Sequence, residues 1–176
     1  MLAQATYALE TDTTARQLTE DLIELSDQSL QHIIPLYLDG QIQAADQLSA
    51  TLPGHQTVSY SRKLTKQDGL LDFSKPASVL EREIRAFQDW PRSRTVIAGK
   101  DVVVTAATVI GTDDSSIPES LRTAAVGSCM VMEAADATRL IGITTTDGIL
   151  AISRLKPAGK GEMDARAFLA GNSLTR

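Results

Sequence analysis

Arg94 to Ile110 reads RTVIAGKDVVVTAATVI. Two runs rich in β-branched residues flank Gly99-Lys100. That pattern predicts a hairpin, because glycine supplies the positive φ that a tight turn between twisted strands requires. Three further runs follow at short spacing: Gly127 to Glu133, Leu140 to Thr145 and Gly148 to Leu155, with Asp147-Gly148 as a turn between the last two. Several short strands in close succession predict a small β-sheet closed into a barrel. Between them, Gly111 to Ala125 reads as a polar, acidic loop. KPAGKGEM (156–163) reads as another loop. DARAFLAG (164–171) reads as a short helix capped by Asp164 and stopped by Gly171.

Upstream of the hairpin the period changes from two to about 3.6. Ala77, Leu80, Ile84 and Phe87 predict a helix that starts near Pro76 and ends at Trp90-Pro91. Thr65 to Asp68 suits a single capped turn. TVSYS (57–61) alternates like a strand with Val58 and Tyr60 on one face, and Tyr60 and Phe73 are expected as core anchors. Trp90 is expected as a core plug. At the other end of the chain, Thr11 to Thr14 offer caps for a long helix. Its stripe is Leu18, Leu22, Leu25, Ser29, Ile33 and Leu36, widened by Leu30, Ile34 and Leu38, with a kink at Pro35 and a stop at Asp39-Gly40. The polar segment 41–57, with Pro53-Gly54, reads as a linker. Expected domains are therefore 1–40, the helical end of a preceding domain, and 58–176, the barrel.

The formal net charge is −5, but it is unevenly spread. Met1 to Thr57 holds eight acids and only Arg16 as a base; Val58 to Lys100 holds nine bases and five acids. Such asymmetry points to a polyanion for the middle segment, although solvated surface bases have the same composition. The RNA-contact candidates are Arg62, Lys63, Lys66, Arg82, Arg85, Arg92, Lys100, Lys156 and Lys160. Cationic groups in this number can neutralise phosphates with little reading of sequence. Arg82 and Arg85 can equally pair with Glu81, Glu83 or Asp89.

Chemistry beyond binding finds little support. His32 and His55 are the only histidines, and neither lies in a context that joins a carboxylate to a nucleophile. Cys129, the sole cysteine, sits in an apolar run and is expected as a small core residue. No phosphate-cradling glycine motif, metal-ligand cluster, signal peptide or membrane-length apolar run is present, so catalytic, cofactor and metal residues are expected to be none. One cysteine and no visible leader suit the cytoplasm.

Three stretches taken together carry a resemblance: VSYSRKLTKQDGLLDFSKPA (58–77), IRAFQDWP (84–91) and TTDGILAISRLKPAGKGEMDARAFLAGN (145–172). In order and spacing they resemble the C-terminal part of the methionyl-tRNA formyltransferase family. The segment TDTTARQLTEDLIELSDQSLQHIIPLYLDG (11–40) is similar to the last helical region of that family's formyl-transfer domain. The resemblance implies a C-terminal barrel of the OB type, preceded by a leftover helix of a Rossmann-like domain. It implies initiator methionyl-tRNA as partner and 10-formyltetrahydrofolate as cosubstrate of the whole enzyme. The family's catalytic Asn, His and Asp, with most of its folate site, lie upstream of the point where Met1 aligns. The chain is therefore expected to be a C-terminal piece, inactive alone, that pairs with a missing catalytic domain. Phe73 stands where the family usually has tryptophan, Asp89 where it has proline, and Gly161-Glu162 follow Lys160 where another base is common. Related readings are the C-terminal part of an amino-sugar formyltransferase, or a non-catalytic barrel that binds proteins; neither membrane nor DNA is expected as a partner.

Overall fold

The computed structural model describes residues 1–46, 60–114, 117, 119–134 and 136–174. They fall into two compact units, Met1–Lys63 and Leu64–Arg176.

The first unit is built on α1, Ala15–Leu38. Thr14 caps it as the stripe predicts, with its side chain on the Gln17 amide and the Gln17 side chain on the Thr14 amide. Pro35 lies inside the helix without ending it. The C-terminus closes in a Schellman arrangement: Gly40 takes φ +71°, its amide donates to Tyr37 O at 3.1 Å, and the Gln41 amide donates to Leu36 O at 2.9 Å. Leu18, Leu25, Ser29, Ile33 and Leu36 are half-buried. They are part of the expected stripe; Leu22 and the widening residues Leu30, Ile34 and Leu38 are exposed, and none of the helix is fully buried. Met1 and Ala45 pair through their backbones, the Ala45 amide donating to Met1 O at 2.9 Å. Tyr60 departs from the sequence reading: it lies outside any strand and is 93% exposed. The rest of the strand expected over 57–61 (57–59), with Val58, and the Pro53-Gly54 turn lie outside the described residues.

The second unit is α+β. It carries helices α2 (Ala77–Ala86), α3 (Glu119–Arg122) and α4 (Ala165–Ala170). Its strands are β1 (Ser93–Ile97), β2 (Lys100–Ile110), β3 (Cys129–Glu133), β4 (Arg139–Thr144), β5 (Ile149–Pro157) and β6 (Met163–Asp164). All pairings are antiparallel, in the order β1-β2-β5-β4-β3, with β6 adding to β5 beyond the end of β4. The sheet is open, which corrects the expected closed barrel. The outer edge of β1 does not meet β3; instead Leu70 bridges to Arg94, and the Leu71 amide donates to Arg94 O at 2.9 Å. A segment from outside the sheet thus covers the edge that closure would have needed. The hairpin turn is Ala98-Gly99, both at positive φ, so Lys100 already belongs to β2, opposite Ile97.

The sheet has a core on each side. On one face Ile141, Ile143, Leu150, Ile152, Val102, Val104 and Leu155 meet Ala77, Leu80 and Ile84 of α2 and Phe168 of α4. On the other face, Ile149, Ala151, Leu140 and Met132 meet Ile117 and Leu121. Burial on both faces explains the unbroken apolar start of β5. The acidic loop 111–125 is therefore more than a loop: Ile117, ahead of α3, and Leu121, within it, are buried. Phe73 packs partly buried against the first core as expected, and Cys129 does the same rather than being fully buried. Trp90 is 57% exposed and plugs no core.

A paired bulge sets which residues face out near the end of β5. Val104 pairs with Leu155 and Ala107 with Ile152; Thr105 in β2 and Ser153 in β5 are the extra residues between. Each strand changes phase there. Ile152 and Leu155 both enter the first core, although strict alternation would have opposed them. Arg154 and Lys156 are thereby turned outward.

Candidate nucleic-acid interface

The outward face of the β1–β2–β5 end holds a cleft of about 390 Å³. Its lining includes Arg92, Arg94, Lys156, Val96, Val103 and Leu70. The register puts Arg94 opposite Val103 and Val103 opposite Lys156, a single row across three strands. Arg94 is anchored: its Nη2 donates to the carbonyl of Lys66, at the start of the 3₁₀ turn Lys66–Gly69. That turn is fixed in its turn by the Thr65–Asp68 capping box, in which the Thr65 amide donates to Asp68 Oδ2 at 2.7 Å. Arg94 Nε is buried with no hydrogen-bond partner among the described residues. Gly69 approaches the backbone carbonyl of Arg92 so closely that a Cβ would collide with it. Arg92 holds φ +67°, a left-handed conformation uncommon for arginine. The turn, the strand entry and the bases are therefore one packed assembly.

A second cleft, about 440 Å³, lies on the other side of the same sheet end. Lys100 and Lys160 line it together, with Asp101, Met163 and Phe168. Asp101, Pro157 and Ala158 border both clefts, and the Ala158 amide donates to Asp101 O at 3.0 Å. Four predicted residues are thus gathered in two pairs, Arg92 with Lys156 and Lys100 with Lys160.

The other predicted bases lie elsewhere. Arg85 forms a two-pronged pair with Glu81, at 2.6 and 3.0 Å, which is the pairing alternative raised by the sequence. Arg82 is exposed on α2, and neither arginine borders the clefts. Lys75, at the end of the basic strip, is held by Glu83 at 2.6 Å. Lys66 contributes through its carbonyl, and its side chain is exposed. Arg62 and Lys63 belong to the first unit, where Arg62 Nη1 donates to Lys63 O at 3.4 Å.

Arg94 and Arg154 bear on the site without being among the predicted contacts. Arg154 pairs with Glu162 at 2.8 Å. That hydrogen bond holds the Glu162 carboxyl below its usual range, with Lys156 adding a smaller pull in the same direction. The Arg94 anchor depends on pairing between segments 28 residues apart, and its only sequence signal is its place in the β1 row. Among the described residues, no group of three His, Cys, Asp or Glu is placed to hold a metal ion, and no helix is long and apolar enough to cross a membrane.

The formyl transferase, C-terminal domain family matches residues 63–173. The chain belongs to that family. It is similar to the methionyl-tRNA formyltransferase of Chloroflexus aurantiacus, 30% identical over 172 residues that cover 97% of this chain and 50% of the relative. The methionyl-tRNA formyltransferase of Nitrosococcus oceani is 28% identical over 97% of this chain and 48% of its own length. That of Roseiflexus sp. is 27% identical over 99% and 48%. The chain thus spans about half the length of the curated relatives it matches. A solved HypX variant from Aquifex aeolicus matches at TM-score 0.44 and 17% identity, over 72% of this chain and 22% of that one.

Proposed function

We propose that this chain is the tRNA-holding part of a methionyl-tRNA formyltransferase. In this reading, a partner domain of the kind that fills the other half of its relatives transfers the formyl group from 10-formyltetrahydrofolate to the methionyl amino group of initiator tRNA. The observation that carries the reading is the pair of clefts sharing one sheet end, with Arg92, Arg94 and Lys156 along one and Lys100 and Lys160 along the other. Cations fixed on strands and a hairpin, rather than paired away as Arg85 is, suit an RNA backbone. The names of the curated relatives add the identity of that RNA. Arg62 and Lys63 of the first unit, and Lys66 and exposed Arg82 of the second, are further phosphate contacts in this reading. Arg85, held by Glu81, adds less. The chain by itself carries no transfer chemistry, and it works in the cytoplasm, where initiator tRNA is charged.

Filter binding of initiator tRNA across a salt series tests this. The chain binds at about 50 mM salt, and log affinity falls steeply with log salt. Arg92→Ala, Lys100→Ala, Lys156→Ala and Lys160→Ala combined weaken binding and flatten that slope by up to about one unit per lost phosphate contact. Absence of binding at low salt, or formylation of methionyl-tRNA by the chain alone, overturns the reading.

A further inference from the structure

The cleft over β1–β2–β5 is more than a line of positive charge. We propose that it receives one unpaired nucleotide and prefers guanine; the inference rests on the RNA-binding reading above and narrows it. At about 390 Å³, the cleft lies near the lower end of the about 300–1,000 Å³ typical of small-ligand sites. Two rows of residues cross its floor and carry three chemistries between them. At the hairpin end Asp101 stands opposite Val96. Val96, 61% exposed, shares the row of Asp101, and Val103 lies in the next row, with Leu70, 50% exposed, bordering the edge strand; these three form the apolar part of the floor. At the far end stand Arg94 and Lys156, in the Val103 row, and then Arg92. Asp101 and the Arg94–Lys156 row are two residues apart along β2, about 7 Å, so one nucleotide reaches both.

Each part of that order has a counterpart in a nucleotide. A base is flat and apolar on its faces, and exposed valine and leucine side chains offer it a dry floor. The bases at the far end suit its phosphate, and Arg94 is already oriented by the Lys66 carbonyl. A double helix cannot use such a floor, because its bases are stacked on one another; a nucleotide from a loop or an end can. Asp101 supplies the discrimination. An ionised carboxylate only accepts. The guanine edge offers N1–H and the N2 amino group side by side, whereas adenine and cytosine each set one donor beside an acceptor, and uracil flanks its N–H with two carbonyls.

NMR titration of the whole chain with 5′-GMP, 5′-AMP and inorganic phosphate tests the proposal, alongside tRNA filter binding. The expected result is a saturable shift of the Val96 and Val103 methyl signals with 5′-GMP. Its affinity exceeds that of 5′-AMP by at least about fivefold, the low end of what a two-pronged contact discriminates. Asp101→Asn removes the preference, and Val96→Glu, at an exposed position, removes the shift while the chain stays folded. If tRNA binds but 5′-GMP leaves those methyls unmoved, or inorganic phosphate alone reproduces the shift, the nucleotide cleft is overturned and the tRNA reading stands. If 5′-GMP binds and tRNA does not, the tRNA reading falls instead. Equal affinity for 5′-GMP and 5′-AMP overturns the guanine preference.

Discussion

Helices α1 and α2 carry apolar stripes of the same period, and they end in opposite circumstances. The 24 residues of α1 include no buried side chain. The 10 residues of α2 bury Ala77, Leu80 and Ile84 completely or nearly so. Periodicity reports that a face exists; it does not report what covers it. For α2 the cover is the sheet and α4, formed from residues far downstream. Along α1, Ile23, Leu30 and Leu38 are more than half exposed.

That contrast can be broken by mutation. Leu80→Ala removes a fully buried side chain and should cost about 2–5 kcal/mol in urea unfolding of the second unit. Gly69→Ala comes next. Its Cβ meets the Arg92 carbonyl, and overpacking of this kind costs about 1–3 kcal/mol; weaker tRNA binding should accompany it, since Arg92 borders the cleft. Leu30→Ala, in exposed α1, should stay within about 0.5 kcal/mol. A loss as large as that of Leu80→Ala would show that α1 is covered in solution. Cys129 gives the smallest effect. Burial pushes its thiol up from 9.0 to about 11, so the folded state holds the proton more tightly than the unfolded chain. Its contribution to stability is complete below pH 9 and is lost as pH rises towards 11. Thiol labelling at pH 8 should be slow in the folded chain and fast in urea; equal rates would contradict the partial burial.

Local signals in the sequence were legible where the physics was local. Thr14–Gln17, Thr65–Asp68, Asp164 and the Gly99 turn are cap and turn chemistry, and each stands where the residue types require it. Strands β1 to β5 stand on the runs the sequence offered, although β2 and β5 change phase at their bulge. What escaped depended on partners distant in sequence. Sheet closure failed because Leu70 and Leu71 occupy the β1 edge, and nothing in GLLDF announces that. Ile117 and Leu121 were hidden in an acidic loop because two apolar residues make no period. Tyr60 and Trp90 are exposed although large aromatics usually bury. Of the candidate interface, Arg92, Lys156, Lys100 and Lys160 were legible as basic residues, but their grouping in pairs needed the register. Arg85 was drawn away by a carboxylate one helical turn off.

The paired bulge at Thr105 and Ser153 has a consequence for how this chain tolerates change in length. Ile149 to Pro157 is one strand with two phases: its first half is written for a core on both sides, its second for a wet face and a dry one. Ser153 is the hyphen between them. Deleting it would leave the net charge untouched and give Ile152 and Leu155 the even spacing of ordinary alternation, so that Leu155 stays dry and Lys156 wet, with Thr105 left as the one extra residue. Flattening the bulge while keeping Ser153 would instead send Lys156 towards the core and Leu155 into water. At that position one residue can be lost without inversion, whereas plain alternation read straight through Ser153 would mistake the lining of the cleft for the filling of the domain.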